Sequence, residues 1–517
     1  MDLTDGEAPE GTGDDAERDV STRAGTDPGI RPGWGLMAVA CVSTLVVNAN
    51  TSAVSILLPS ISVDLQTPVA VLQWAVTGYL LVGAAVIVTS GAMGDVFGRR
   101  RVFVAGLALF VVSCVLIALA QTGTMVVLGR LVQGAAGATI LACGLSLLSV
   151  ASAGPAQMRA VSLWGAAAAA GAAGGPVLGG VLNEATGWQG RFWIDAVIAA
   201  VCIPLALRTV AESRDENRPR TIDFAGTALI AGILVPFVFA MTEGSTWGWF
   251  SVPTLACLVL TLAATVGFVA VERRVSSPLV DLRLLRNTQL VVSTWVIFVG
   301  AGAIAALSFI LSLYFQDPGT LGFSSLIAGL AMLPLAAVVI ILAPLVTPLA
   351  RHFGVRSVVL AGFVVLTAGF FLLARADPSW EYGRFLFPLL CIAAGLSLTN
   401  GPASSISTSC VTREQVGQAS GISNMARYVG GAVMTAVVAG IYSNAIAART
   451  AEGAPHADAL ASGFAEGCIA LAIFSASTIV FAVVSARRPG RPHAIDAAAA
   501  AASTSHTLPV AEIGRDH

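Results

Sequence analysis

The stretch Gly91-Ala-Met-Gly-Asp95-Val-Phe-Gly98-Arg99-Arg100-Arg101 is a short polar interruption between two long apolar runs, Val69 to Met93 and Val102 to Ala120. Each run has about 20 residues, enough at 1.5 Å per residue to cross roughly 30 Å of hydrocarbon as a helix. The turn between them therefore belongs at a membrane surface. Three consecutive arginines anchor it there, and glycines let helix ends approach. Asp95 can hold neighbouring helix ends by charge-assisted hydrogen bonds.

Outward from this turn the same alternation continues. Apolar runs lie near Leu36 to Leu58, Met125 to Val150, Ala160 to Leu182, Phe192 to Leu207, Phe224 to Thr242 and Val252 to Val271. They resume near Leu290 to Phe315, Ser325 to Ala350, Ser357 to Ala374, Phe385 to Ser407, Ala419 to Ser443 and Phe464 to Ser485. This predicts an all-α polytopic membrane protein of about 14 spans. Composition agrees: 56% of the 517 residues are hydrophobic and 11% charged, with mean hydropathy +0.81. A soluble domain with so little polar surface could not cover its core. A net charge of −2 and the lack of a basic run with interleaved aromatics argue against a nucleic-acid partner.

Every cation except histidine is an arginine, since the chain has no lysine, and this rules out a Walker loop ending in Gly-Lys. ATP-driven transport by this chain alone and an enzymatic role are both disfavoured. The eight cysteines, Cys41, Cys114, Cys143, Cys202, Cys257, Cys391, Cys410 and Cys468, lie in or at the edges of apolar runs without CxxC spacing. They read as small hydrophobes. The five histidines lie outside the apolar runs, so neither a metal site nor a cofactor is expected.

Alternate loops carry Arg99, Arg100, Arg101, Arg159, Arg208, Arg214, Arg218, Arg220, Arg273, Arg274, Arg283, Arg286, Arg351, Arg356 and Arg413, while the intervening loops carry Arg191, Arg375, Arg384 and Arg449. The positive-inside rule then places both termini in the cytoplasm. The expected organisation is a disordered N-terminal tail over 1–34, a six-helix bundle over 35–207 and a linker with two extra spans over 208–287. A second six-helix bundle over 288–486 and a disordered tail over 487–517 complete it.

The spacing of Gly91, Asp95, Gly98, Arg99 and Arg100 resembles the G-x-x-x-D-x-x-G-R-[RK] loop signature of the major facilitator superfamily. A weaker echo, Pro348-Leu-Ala-Arg351-His-Phe-Gly354-Val-Arg356, lacks the aspartate. A partial repeat is expected of two bundles related by duplication. The fifth span carries Gly171-Ala-Ala-Gly174-Gly175-Pro176-Val-Leu-Gly179-Gly180, in which Gly171, Gly175 and Gly179 share one helix face and Pro176 removes a backbone donor. A packing face is the plain reading of any lone GxxxG. The full string is similar to the motif that marks antiporters, meaning exporters, in the superfamily. Asp223-Phe-Ala-Gly226 leads the two extra spans, and Gly417-Gln-Ala-Ser-Gly421-Ile-Ser-Asn424-Met-Ala-Arg427-Tyr-Val-Gly430-Gly431 lies near the end. With them the chain resembles the 14-helix drug:proton antiporter branch from about Trp34 to Arg488.

Arg130, in Leu128-Gly129-Arg130-Leu-Val-Gln133-Gly134, stands near the outer end of the fourth span, where burying a guanidinium costs at least about 2.5 kcal/mol. Either it snorkels outward or it faces a cavity or partner. In the family the matching arginine is implicated in proton transfer. The branch usually has L-D-x-T-x-V-N-x-A-L-P in its first span, and here Ala49-Asn50-Thr51-Ser52-Ala53-Val54-Ser55-Ile56-Leu57-Leu58-Pro59 puts Asn50 where the carboxylate falls. An amide does not titrate, so that role is absent or moved. Asp195, read as starting the sixth span, is the first replacement candidate, although an acid there can also simply cap the helix.

These features imply secondary export of a small, neutral or lipophilic molecule, driven by protons through alternating access in a bacterial cell membrane, by a chain acting as a monomer. The cavity is expected to draw on Asn50, Trp74, Tyr79, Trp164, Phe309, Tyr314 and Asn400. An uncoupled facilitator or importer, or an exporter of a lipid or biosynthetic product, is the alternative.

Overall fold

The computed structural model describes residues 33–152, 154–214, 223–275, 280, 282–412 and 415–485. Residues 1–32 and 486–517, which hold nearly all of both expected tails, residues 215–222 of the linker with Arg218 and Arg220, and Arg413 lie outside the described residues. Among the described residues the regular structure is helical, without strands. The helices are α1 (Trp34–Asp64), α2 (Val69–Phe97), α3 (Arg99–Ala118), α4 (Gly123–Val150), α5 (Gly154–Thr209), α6 (Phe224–Trp247) and α7 (Val252–Glu272). After a 3₁₀ turn at Leu284–Arg286 come α8 (Thr288–Gln316), α9 (Ser325–Ala331), α10 (Leu333–Phe353), α11 (Val355–Leu373), α12 (Tyr382–Ser409), α13 (Val416–Ala451) and α14 (His456–Ser485).

Among the described residues thirteen helical stretches are long and apolar enough to span a bilayer, with α9 and α10 counted together. One of them, α5, holds two spans, because Gly187 (φ 75, ψ 170) breaks it into a first and a second arm. The left-handed φ at Gly187 is open to glycine without a Cβ penalty, so the chain reverses there in one residue. This moves the expected start of the sixth span. The second arm begins directly after Gly187, and Asp195 lies two turns inside it rather than at its start. Helix starts elsewhere follow their caps: the Thr122 hydroxyl accepts from Met125 N, Asp223 from Gly226 N, and Asn287 from Gln289 N and Leu290 N.

Lipid tails are as apolar as leucine, so helices in a bilayer associate through close backbone approach. The glycine string of α5 provides this along α1. A Cβ at Gly171 would run into Leu45 O, one at Gly175 would lie 2.5 Å from Ala49 O, and one at Gly179 3.0 Å from the Ala53 side chain. At Gly180 the partner changes, and a Cβ there would sit 2.5 Å from Ser325 O at the start of α9. In the second half Gly302 and Gly430 bring α8 and α13 together in the same way. Helix α6 fills a groove alongside α2 and α13: Thr89 and Thr227 share a 2.5 Å hydroxyl contact, and Trp74 packs on Phe239 at 4.3 Å. Helix α7 packs chiefly on α6 and turns Val259, Leu260, Leu262 and Val266 outward.

The two ends of the molecule differ. At the face opposite the arginine-rich loops the halves are joined. Asn183 donates to the hydroxyls of Ser60 and Ser325 at 2.8 Å each, Ser312 donates to Ser55 O at 2.6 Å, and Gln316 to Ile56 O at 3.1 Å. Toward the arginine-rich face residues 161–170 of α5 include none that is buried, and Val346 is the one buried residue of α10. Added Cβ atoms at Gly165, Gly174 and Gly401 would meet open space. A cleft therefore opens between the halves on the arginine-rich side. The contrast within the glycine string is testable. Gly175→Ala should cost about 1–3 kcal/mol by overpacking, seen as a lower melting temperature of the purified protein, whereas Gly174→Ala, facing open space, should hold or raise it, by up to about 1 kcal/mol of helix propensity.

Candidate functional site

The first half buries one continuous polar cluster. Arg130, on the second turn of α4, is 1% exposed, and its side chain points inward, so it does not snorkel. Its Nη1 donates to Asn50 Oδ1 at 2.6 Å and to Gln133 Oε1 at 2.5 Å, and its Nε donates to Ala75 O at 2.9 Å. The guanidinium also lies 4.1 Å from the centre of the Tyr79 ring, so the π face of that ring shares the charge. Gln133 in turn donates from Nε2 to Cys114 Sγ, and Thr51 donates to the Tyr79 hydroxyl at 3.0 Å.

Asn50 carries the cluster across to the second arm of α5. Its amide donates from Nδ2 to Asp195 Oδ2 at 2.7 Å, while the other oxygen of that carboxylate lies 3.1 Å from Arg191 Nη2. Asp195 and Asn50 are fully buried and Arg191 is 3% exposed. Arg191 and Asp195 are one turn apart on the same arm, which is why both reach one spot. Sequence reasoning assigned Arg191 to a surface loop. Only the one-residue reversal at Gly187 carries it into the bilayer beside Asp195.

The orientation of Asn50 is fixed by chemistry. Its oxygen must accept from a guanidinium that stays charged, so its NH₂ must point at the carboxylate. Arg191 thus faces the Asp195 carboxylate directly and Arg130 reaches it through Asn50, and Asp195 is the one carboxylic acid of this cluster. His, Cys, Asp and Glu side chains form no cluster able to hold a metal ion among the described residues.

A family model for the Major Facilitator Superfamily matches residues 40–435. The chain belongs to that superfamily. Among curated relatives, the tetracenomycin C resistance and export protein of Streptomyces glaucescens is 29% identical over 408 residues, 79% of this chain and 75% of the relative. The cephamycin export protein of Amycolatopsis lactamdurans is 30% identical over 444 residues, 85% and 91% of the two chains. The multidrug resistance protein Stp of Mycobacterium tuberculosis is 31% identical over 383 residues, covering 73% and 71%. Among solved structures the POT family transporter PepTSo superposes with TM-score 0.64 at 14% identity, over 89% of this chain and all of that one, a likeness of fold. This is therefore a multi-pass membrane transporter of the superfamily, handling small molecules, with drug-export proteins among its relatives.

The superfamily loop signature also has its geometry. Asp95 pairs with Arg99 at 2.9 Å one turn on, and Gly98 (φ 108) ends α2. A residue not singled out from sequence completes this corner. Glu212, beyond the end of α5, accepts from Arg100 N at 3.0 Å and lies 3.7 and 3.6 Å from the Arg100 and Arg101 side chains. Nothing in the sequence distinguished it from other acids of the linker.

The residues expected to line the cavity do not converge. Asn50 and Tyr79 sit in the polar cluster, and Trp74 is covered by Phe239 of α6. Phe309 is buried in the core of the second half, and Tyr314 belongs to an aromatic cluster with Phe385 and Phe464. Trp164 and Asn400 are part-buried, Trp164 beside Gly144 of α4 and Asn400 beside Gly300 of α8. Because Asn50 and Arg130 satisfy each other, their alanine variants should be non-additive. A double-mutant cycle on thermal stability should give a coupling of about 0.5–3 kcal/mol, and additivity within error would mean the bond is absent.

Proposed function

We propose that this protein exports small lipophilic molecules in exchange for protons and that Asp195 carries the proton. The observation that carries this reading is the bond from Asn50 to Asp195 within a buried cluster that also holds Arg130. The acid lies next to the position where the sequence has an amide in place of the branch's carboxylate. The relatives named as export proteins support the direction, as does the G-x-x-x-G-P-x-x-G-G string.

In this reading the arginine-rich face is cytoplasmic, both termini lie there, and the cleft faces the cytoplasm. The two halves are 35–207 and 288–486, with the extra pair of spans between them in sequence, and they rock about the cleft. Helix α1 couples chemistry to movement. It carries Asn50 of the polar cluster and, one to three turns on, Ser55, Ile56 and Ser60 of the closed seam. Protonation of Asp195 removes its attraction for Arg191 and changes the pull of the second arm of α5 on α1. The seam's hydrogen bonds are mostly neutral, at about 0.5–1.5 kcal/mol each, with one from Leu326 N to Glu184 Oε1 at its exposed edge, so a modest bias at Asn50 is enough to open it.

Efflux of a panel of lipophilic dyes and antibiotics from expressing cells, with and without a protonophore, tests this. Efflux should stop with the protonophore and fall at least about tenfold in Arg130→Ala. Asp195→Asn should abolish gradient-driven efflux while leaving the protein folded. Efflux indifferent to the protonophore, or accumulation that rises on expression, would point to an uncoupled facilitator instead.

A further inference from the structure

Helix α13 is buried or part-buried at every position from Ala419 to Tyr442 except one, Arg427, which is exposed. Arg427 lies three turns past Val416, roughly 16 Å along the axis and farther than an arginine side chain reaches back to the interface. Its neighbours fix the depth. The Tyr428 ring would meet a Cβ at Gly83, midway along α2, and Gly430 abuts the Phe298 backbone of α8. A guanidinium at that level is tolerated only where it faces a cavity or a partner. Among the described residues no carboxylate lies within 4.0 Å of Arg427, and its one hydrogen bond is a long one, from Nη2 to Ser404 Oγ of α12 at 3.4 Å. The wall around it belongs to the cleft. Gly401, one turn before Ser404, fronts open space, and Asn424, one turn before Arg427 on the same face, is part-buried.

A permanent cation inside the span, exposed to the cleft and without a countercharge among the described residues, is a binding group for an anion. We propose that Arg427, with Ser404 beside it, anchors the carboxylate of the transported molecule, so that the substrate is a lipophilic monoanion. This rests on the exporter reading for its direction and narrows the lipophilic substrate expected from sequence. It requires neither proton coupling nor Asp195, which lies in the other half of the chain. One arginine and one hydroxyl suit a single anionic group. A second negative charge would have no cation to meet, since Arg130 and Arg191 are committed to their own cluster.

Equilibrium binding of pyrenebutyrate, a fluorescent lipophilic carboxylate, and of the neutral pyrenebutanol to the purified full-length protein in nanodiscs tests this apart from transport. The wild type should prefer the carboxylate by about tenfold or more. Arg427→Gln should erase that preference while leaving binding of the alcohol unchanged, and Arg427→Lys should keep part of it. If Arg427→Gln does not fold, Ser404→Asp supplies a countercharge in place and should erase the preference likewise. A wild type that binds the alcohol as well as the carboxylate, or a preference that survives both Arg427→Gln and Ser404→Asp, overturns the assignment. Selective carboxylate binding without protonophore-sensitive efflux would instead sink the exporter reading and leave the anion site standing.

Discussion

The structure depends on satisfying a charge that cannot be given up. A guanidinium stays protonated in any environment a protein offers, and in hydrocarbon its burial has to be compensated by acceptors held in place. Arg130 finds three within 2.5 to 2.9 Å, one each from α1, α2 and its own helix, and an aromatic face besides. Those helices are thereby fixed in register with one another. The second arm of α5 joins through Asn50 and Asp195. Removing Arg130 would leave buried acceptors bare on several helices at once, which costs more than the loss of any single hydrogen bond.

Around that cluster, packing is built from absent side chains. The glycine string of α5 lets α1 approach to backbone contact, and its last member does the same for α9 across the seam between the halves. One motif therefore serves a permanent interface within the first half and a breakable one between halves. The difference lies in what surrounds each contact. Within the half, long helices bury many side chains together, whereas the seam relies on a few hydrogen bonds, neutral ones among Ser60, Asn183, Ser312, Gln316 and Ser325 and one from Leu326 N to the Glu184 carboxylate. Charge is distributed the same way. Arg130 is hydrogen-bonded and Arg191 ion-paired within the first half, and Arg427 in the second half is exposed in the cleft.

Much of the fold was legible in the sequence because the bilayer imposes a length and a polarity on each span. The spans around the Gly91 to Arg101 turn, the extra pair near Phe224 and Val252, and the family could be read from run length, arginine placement and motif spacing. The site was less legible. Arg130 and Asn50 could be singled out, because a cation in an apolar run and an amide in place of an expected acid are visible locally. The partner of Arg130 could not be read, because hydropathy says nothing about which helices touch. Tyr314 and Phe309 illustrate the same limit: as aromatic residues they are expected to line a cavity, and packing puts them in the core.

By itself, then, the sequence determined that this chain crosses a membrane many times as helices, which ends carry the arginines, and where small residues permit close approach. These are properties of one segment in its solvent. Tertiary structure decided that the chain reverses at Gly187 so that the sixth span starts there, that Arg191 is buried beside Asp195, and that Asn50 bridges Arg130 to that carboxylate. It also decided that Arg427 faces the cleft without a countercharge among the described residues. Each of these depends on contacts between residues distant in the chain, and only the mutual satisfaction of buried polar groups selects them.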